Sequence, residues 1–225
     1  MGNDNYKFCV YLSDSCGLCI DSLPTLERIK DIFCKEQSIE MILLWENKIP
    51  IKNVKEYNLY DYSYSLKNVS ISPTLDTVFL LDKNNNVFFM DNDGYENAIS
   101  LLIENNLVNK DSLIINSNAY IKNNLIKDSD LHDLIYFSMP GCPDCESANE
   151  IIYTSEIQKY FNITKIESKM LDENITSIVD YGHIFKKIYD IDWYPSFLIL
   201  NNDGSWNMVT DVEINELRKE LMKYI

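Results

Sequence analysis

The sequence predicts an α/β protein with two similar domains in tandem, each built as a central mixed sheet flanked by helices. Two observations lead to this prediction. The chain carries two Cys-x-x-Cys pairs, Cys16/Cys19 and Cys142/Cys145, and each lies between a short apolar run and an apolar stripe at helical spacing. The same order of elements follows both pairs, and an internal repeat of this length indicates two copies of one domain.

In the first half, residues 7–13 are rich in β-forming side chains and end in a turn-prone tripeptide before Cys16. The stripe after Cys19 predicts a helix and consists of Leu23, Leu26, Ile29, Ile32 and Phe33. A strand over residues 39–45 and a helix over residues 55–59 come next. Pro73 then precedes a strand over 77–81, a polar turn over 82–86, a strand over 87–90 and a helix over 95–104.

The second half repeats this order. Residues 134–139 form an apolar run before Cys142, and a weaker stripe of Ala148, Ile151, Ile152 and Ile157 follows Cys145. A strand over 163–167 and a helix over 178–188 precede Pro195. Strands over 197–200 and 206–209 and a helix over 214–222 complete the repeat. The boundary is predicted near residues 106–111, which gives domains 1–108 and 109–225, with an additional strand over 112–115 and helix over 119–126 opening the second domain.

Composition favours a soluble protein. The net charge of −15 disfavours binding to nucleic acids and to anionic membranes. No apolar run approaches the ~18 residues that cross a bilayer, and the first residues lack the apolar core of a secretory signal. We therefore expect no membrane insertion and a cytoplasmic location; an extracytoplasmic one stays open if an export signal preceded this sequence.

Four of the six cysteines fall into the two pairs, which indicates catalysis or metal binding rather than a disulfide framework. The nucleophile in disulfide exchange is the thiolate. Unpaired backbone N–H groups and the helix dipole stabilise a thiolate at the first turn of a helix. A second cysteine three residues later lies on the same helical face and can resolve a mixed disulfide. The pairs therefore predict dithiol–disulfide exchange.

The constellation resembles the thioredoxin superfamily, and in its tandem arrangement the two-domain protein disulfide oxidoreductases. The sequence Cys16-Gly17-Leu18-Cys19 is similar to a thioredoxin active site, and so is Cys142-Pro143-Asp144-Cys145. Pro24 matches the proline of the active-site helix. The stretches Ile71-Ser72-Pro73-Thr74 and Trp193-Tyr194-Pro195-Ser196 resemble the cis-proline loop, 57 and 53 residues after the first cysteine of their pair.

The resemblance implies thiol–disulfide oxidoreductase activity with no cofactor beyond the redox-active disulfides and no bound metal. Cys16 and Cys142 would attack, Cys19 and Cys145 would resolve, and both prolines would be cis. Ser72, Pro73, Tyr194 and Pro195 would bind an extended substrate strand. The implied partners are proteins with cysteines or disulfides, and a reductase or oxidant of unidentified nature.

The chain also departs from the family pattern. Thioredoxins place a buried acid six residues before the first cysteine, where this chain has Val10 and Tyr136. The tryptophan usual just before that cysteine is replaced by Ser15 and Gly141, and Glu150 stands at the position equivalent to Pro24. Proton handling and substrate docking are therefore expected to differ from those of thioredoxin.

Three other interpretations of the cysteines were weighed. Two Cys-x-x-Cys pairs can form a four-thiolate zinc site, but 122 residues separate Cys19 from Cys142, against about 15–20 in such sites. A thioredoxin-like scaffold could bind cysteine-containing clients without turnover. A Cys–His nucleophile is disfavoured because His132 and His183 are isolated. The remaining cysteines, Cys9 and Cys34, are interpreted as buried apolar residues.

Overall fold

The computed structural model describes residues 6–12, 26, 28–33, 39–45, 55–58, 77–91, 95–124, 126, 130–168, 178–180, 183–201 and 205–225. Within them, residues 28–33 are helical. The further described helices are α1 (Glu96–Glu104), α2 (Lys110–Asn124), α3 (Pro143–Ile152), α4 (Ser155–Gln158), α5 (Ile184–Ile188) and α6 (Ile214–Leu221). The chain forms two compact units, Met1–Ser117 with Tyr181–Ile188, and Asn118–Asp180 with Tyr189–Ile225.

The first unit contains a five-stranded sheet in the order β3-β2-β1-β4-β5. Its strands are β1 (Tyr6–Leu12), β2 (Ile39–Trp45), β3 (Lys55–Asn58), β4 (Val78–Leu81) and β5 (Val87–Asp91). The first three run parallel, and β4 and β5 are antiparallel to their neighbours. The central strands β1, β2 and β4 are mostly apolar, and β4 is buried at every residue.

Helix α1 packs against β4 and β5 and also against α5. The buried side chains of α1 are Ala98, Ile99 and Leu102, which recur at the three- and four-residue spacing of one helical face. The helical residues Ile29, Ile32 and Phe33 are also buried, as their spacing predicts.

The second unit repeats the same sheet order, β10-β9-β6-β7-β8. Its strands are β6 (His132–Ser138), β7 (Phe161–Glu167), β8 (Ile178–Val179), β9 (Ser196–Leu200) and β10 (Trp206–Val209). Strand β6 lies between β7, which is parallel to it, and β9, which is antiparallel. A single buried cluster joins β6 and β9 to α3 and α6, and it includes both thiols of the Cys142/Cys145 pair.

The predicted fold class is confirmed: the protein is α/β, with two mixed sheets that are each flanked by helices. Three local predictions are wrong. Residues 55–58 form strand β3, paired with β2, rather than a helix. Residues 112–115 belong to helix α2 rather than to a strand, because Leu113, Ser117 and Ile121 recur every fourth residue and are all fully buried. The helix predicted over 178–188 begins as strand β8, and its helical part is α5.

The compact units differ from the predicted domains in two places. The division falls between Ser117 and Asn118, inside α2, and the segment Tyr181–Ile188 belongs to the first unit. Folding of 1–108 and 109–225 as independent domains stays a prediction. None of the helices that the structure describes is both long and apolar enough to cross a membrane.

Candidate functional site

Strand β6 carries the chain directly to the C-terminal cysteine pair. Its residues from Asp133 onward are buried, so its carboxyl end is held firmly by the sheet. A turn follows, closed by a hydrogen bond from the Cys142 N–H to the Met139 carbonyl at 3.3 Å. Gly141 has φ +73°, which side chains other than glycine rarely adopt. A Cβ there would meet nothing within 4 Å, so backbone conformation rather than lack of space favours glycine.

Cys142 occupies the N-cap of helix α3, with φ −87° and ψ 114°. Its Sγ accepts a hydrogen bond from the Cys145 N–H at 3.2 Å, which satisfies one of the otherwise unpaired donors of the first turn. Pro143 suits the next position because its fixed φ is helical and no N–H donor is lost there. Helix dipole and backbone donor thus both favour negative charge on the Cys142 sulfur.

Cys145 lies one turn further along α3 and deeper in the protein. It is 3% exposed, against 8% for Cys142. Both are free thiols in this structure. Burial, together with the adjacent Cys142 sulfur, raises the pKa of the Cys145 thiol from 9.0 to about 12. At neutral pH Cys145 is therefore a protonated thiol beneath a more accessible sulfur.

A loop before β9 faces the Cys142 sulfur. The Tyr194–Pro195 peptide bond is cis, the isomer that the family resemblance implies. The Tyr194 carbonyl oxygen lies 3.7 Å from the Cys142 Sγ, within the longer reach of a sulfur donor. The Ser196 hydroxyl, which is fully buried, donates to the Trp193 carbonyl at 2.7 Å and fixes the loop on the sheet. The main chain is therefore held beside the sulfur at the point where an extended ligand could pair with it.

Tyr136 lies beneath the cysteine pair and is fully buried. Its hydroxyl donates to the carbonyl oxygen of Cys145 at 2.8 Å, which ties β6 to the first turn of α3. Its ring stacks on Phe197, with centroids 5.1 Å apart and planes at 12°. Burial raises the pKa of Tyr136 above its ordinary value, so the hydroxyl stays neutral and acts as a donor. The sequence analysis noted Tyr136 only because it replaces the buried acid of thioredoxins. Its position six residues before Cys142 was the signal that could have identified it as part of the site.

A cavity of about 530 Å³ adjoins this loop. It is lined by Asp144 at the start of α3, by Trp193, Tyr194 and Pro195, and by residues 211–215 before and within α6. Trp193 is the most exposed large apolar residue of the described chain, at 69%. The sequence analysis did not identify residues 211–215 as part of a site, because no motif links them to the cysteines.

The structure brings together Cys142, Cys145, Tyr194 and Pro195, the four residues named for the C-terminal site. The predicted N-terminal site residues, Cys16, Cys19, Ser72 and Pro73, lie outside the described residues, as does Pro24 of the matching helix. Among the described residues, no three His, Cys, Asp or Glu side chains converge as a metal site would require.

No model of a known protein family matches the chain, and no curated protein matches its sequence significantly. Similar solved structures include a secreted Mycobacterium tuberculosis disulfide oxidoreductase homologous to E. coli DsbE, with 18% identity, TM-score 0.33, and 41% of this chain and 81% of that chain covered. A thioredoxin from Thermus thermophilus has 16% identity and TM-score 0.32, over 47% of this chain and 78% of that one.

A disulphide isomerase from Xylella fastidiosa Temecula1 has 16% identity and TM-score 0.32, over 52% of this chain and 92% of that one. Each of these structures matches only about half of the present chain.

Proposed function

We propose that the protein is a thiol–disulfide oxidoreductase that exchanges dithiols and disulfides with protein substrates through Cys142/Cys145. One observation carries the proposal. The Cys142 sulfur caps a helix, accepts the Cys145 N–H at 3.2 Å and lies 3.7 Å from the Tyr194 carbonyl beside cis-Pro195. A buried structural cysteine needs neither a helix N-terminus nor a facing main-chain acceptor. A nucleophilic thiolate is stabilised by the helix N-terminus, and the N–H groups of an extended substrate can donate to the main-chain acceptor.

In the reducing direction, the Cys142 thiolate attacks one sulfur of a client disulfide. A mixed disulfide forms, and the other client sulfur leaves as a thiolate that takes up a proton. The Cys145 sulfur, after losing its proton, then attacks the Cys142 sulfur. The second client sulfur leaves and is protonated, so the client gains two electrons and two protons while Cys142 and Cys145 become a disulfide. A thiol reductant restores the pair; the reverse sequence, driven by a disulfide oxidant, oxidises a client dithiol.

The assignment of roles follows from depth and ionisation. Cys142 is the more exposed sulfur and lies at the helix N-terminus. Cys145 is deeper, and its raised pKa keeps it a protonated thiol while Cys142 attacks. Cys142 therefore attacks and Cys145 resolves.

We extend the proposal to the N-terminal pair by the sequence repeat. In that extension the chain is a tandem of two thioredoxin-like domains, with Cys16 attacking and Cys19 resolving. Ser72 and Pro73 then correspond to Tyr194 and Pro195 as the main chain that receives the substrate strand. The clients are proteins with cysteines or disulfides, and a separate reductase or oxidant exchanges electrons with both sites.

Trapping the mixed disulfide tests the proposal. In a Cys16→Ser/Cys19→Ser background, the Cys145→Ser variant keeps the attacking sulfur but cannot resolve, so it should accumulate a covalent adduct with a disulfide-bonded peptide. The matched Cys142→Ser variant should form none. Adducts in equal amounts, or on the Cys142→Ser variant alone, would contradict the assigned roles. The absence of adducts from both variants would contradict the proposal itself.

A second candidate function is a binding or chaperone-like module that holds cysteine-containing clients without turnover. The exposed apolar side chains of Trp193 and Met139, 69% and 45% exposed beside the cysteine pair, favour client docking by either mechanism. A Cys16→Ser/Cys142→Ser variant separates the two. An oxidoreductase loses all exchange activity in this variant, whereas a holding module keeps its full capacity to suppress client aggregation.

A further inference from the structure

The cavity beside the cysteine pair has an unbalanced charge. Three acidic residues line it: Asp144 from α3, and Asp211 and Glu213 from the segment that leads into α6. No lysine or arginine is among the described residues that line it. All three carboxylates belong to residues that are exposed at the surface, so they face both the cavity and the approaching solvent.

These carboxylates are not engaged elsewhere in the described part of the chain. Glu213 is the N-cap residue of α6, yet its side chain makes no capping hydrogen bond. Among the described residues of this unit, salt bridges join Lys165 to Glu167, Arg218 to Glu156, and neighbouring residues along α6 and the turn after it. None of these involves a cavity residue. A cation in the cavity would therefore gain attraction without breaking an existing ion pair.

The apolar part of the cavity wall also suits a cationic side chain. Trp193 presents an indole that is 69% exposed, and indole faces attract Lys and Arg side chains through cation–π interaction. Val212 and Ile214 lie between and beside the acidic residues and contribute half-buried apolar surface. Apolar walls around one sign of charge focus the electric field and raise the local concentration of the opposite charge.

The cavity also lies next to the proposed reactive sulfur. Tyr194 lines the cavity, and its carbonyl oxygen is 3.7 Å from the Cys142 Sγ. An extended client advances about 3.3 Å per residue. When a client cysteine reaches Cys142, the side chain one or two residues away therefore falls at the cavity.

We propose that this cavity binds a lysine or arginine side chain that flanks the client cysteine, so that the C-terminal site selects cationic clients. This inference rests on the proposed exchange function and names its substrate class. Asp211, Glu213 and Trp193 are its specificity-determining residues. The net charge of −15 over the whole chain adds long-range attraction for the same clients.

The test uses three peptides, each with a single cysteine flanked by Arg, by Gln or by Glu and otherwise identical. Each peptide is supplied as its mixed disulfide with 2-mercaptoethanol. Second-order rate constants for oxidation of the pre-reduced protein by each peptide disulfide are measured in a Cys16→Ser/Cys19→Ser background, so that the Cys142/Cys145 dithiol supplies both electrons. At low ionic strength the rate constant for the Arg peptide should exceed that for the Glu peptide by at least about fivefold, because charge complementarity mainly raises the association rate. The ratio should fall toward one in 1 M salt, where the Debye length is only about 3 Å.

In an Asp211→Asn/Glu213→Gln variant the Arg-to-Glu rate ratio should fall to less than half of its starting value, because only Asp144 and the long-range charge of the chain still favour the Arg peptide. A charge-matched control, Asp130→Asn/Glu150→Gln, alters exposed acids outside the cavity and should keep the full ratio. A ratio near one in the starting protein, or an equal ratio in both double variants, would overturn the inference.

Bis(2-hydroxyethyl) disulfide, a neutral substrate, distinguishes failure of the cavity proposal from failure of the proposed exchange function. If the protein reduces this compound but shows no peptide preference, the cavity proposal fails and the exchange function stands. If the protein does not reduce it, the exchange function fails, and calorimetric titration with cysteine-free Arg and Glu peptides decides the cavity proposal. Tighter binding of the Arg peptide supports a cationic subsite, and equal binding refutes it.

Discussion

Replacing Tyr136 with phenylalanine removes only the hydroxyl group that lies next to the cysteine pair. The ring is fully buried and stacks on Phe197 at 5.1 Å, so a phenyl group of the same shape keeps this packing. The loss is the hydrogen bond from the hydroxyl to the Cys145 carbonyl, 2.8 Å long. That carbonyl lies in the first turn of α3, so the variant loosens the attachment of the cysteine-bearing turn to β6.

The expected effect has two parts. The Cys145 carbonyl lies in the first turn of the helix and keeps its partner four residues on, so no acceptor is left unsatisfied. We therefore expect the loss of one buried hydrogen bond, about 0.5–1.5 kcal/mol in stability. Burial raises the pKa of the Cys145 thiol, and the nearby Tyr136 hydroxyl acts on that side chain in the opposite, lowering direction. Without it the pKa of Cys145 rises further, and the resolving step slows at any fixed pH.

Urea denaturation of the reduced protein measures the first part. The rate at which Cys145 resolves a preformed mixed disulfide on Cys142, followed from pH 7 to pH 10, measures the second. Tyr153→Phe is the matched control, since it removes a hydroxyl from a residue that is 44% exposed at the C-cap of the same helix. If Tyr136→Phe resembles the control in both stability and pH profile, the positioning role of Tyr136 is refuted.

Four further predictions concern individual residues. Because the pKa of Cys145 is raised from 9.0 to about 12, resolution should accelerate about tenfold per pH unit between pH 7 and 9; a flat profile would contradict it. The same shift means that the reduced protein, relative to the oxidised one, loses stability as pH rises from about 9 toward 12, because the unfolded thiol ionises first; parallel pH–stability curves would refute this. Gly141→Ala, at φ +73° with free space for a Cβ, should cost about 1–2 kcal/mol in chemical denaturation, and Gly141→Asn less. Asp82→Ala should destabilise the β4–β5 turn by about 1–2 kcal/mol, since its carboxylate accepts the N–H groups of Asn84 and Asn86 at 2.8 Å; unchanged hydrogen exchange there would count against it.

Much of the C-terminal half could be predicted from sequence because its signals are local. The run into β6, the turn at Gly141 and the helix after Cys142 each depend on residues that are close together in the chain. The hairpin of β9 and β10 was also predicted, because two apolar runs flank a polar turn. In such segments local preference and tertiary packing agree.

The failures occurred where tertiary packing decides between alternatives. Residues 113–115 are three consecutive apolar residues and fit a strand as well as a helix. In the structure Leu113 is fully buried while Ile115 is 66% exposed, a difference that depends on which helical face meets the core. Strand β3 has little apolar character and is a strand because it pairs with β2. The cavity residues 211–215 are near the cysteines only in the folded chain.

The most direct test of the account is the redox titration of Cys142/Cys145 against glutathione buffers in a Cys16→Ser/Cys19→Ser background. Alkylation and mass spectrometry report the fraction of protein in which these two sulfurs are joined. We predict one reversible two-electron transition on the reducing side, near the about −270 mV of thioredoxin, because Asp144 opposes negative charge on the adjacent sulfur. Failure to form a Cys142–Cys145 disulfide in any buffer, or stoichiometric zinc on the reduced protein, would contradict the account.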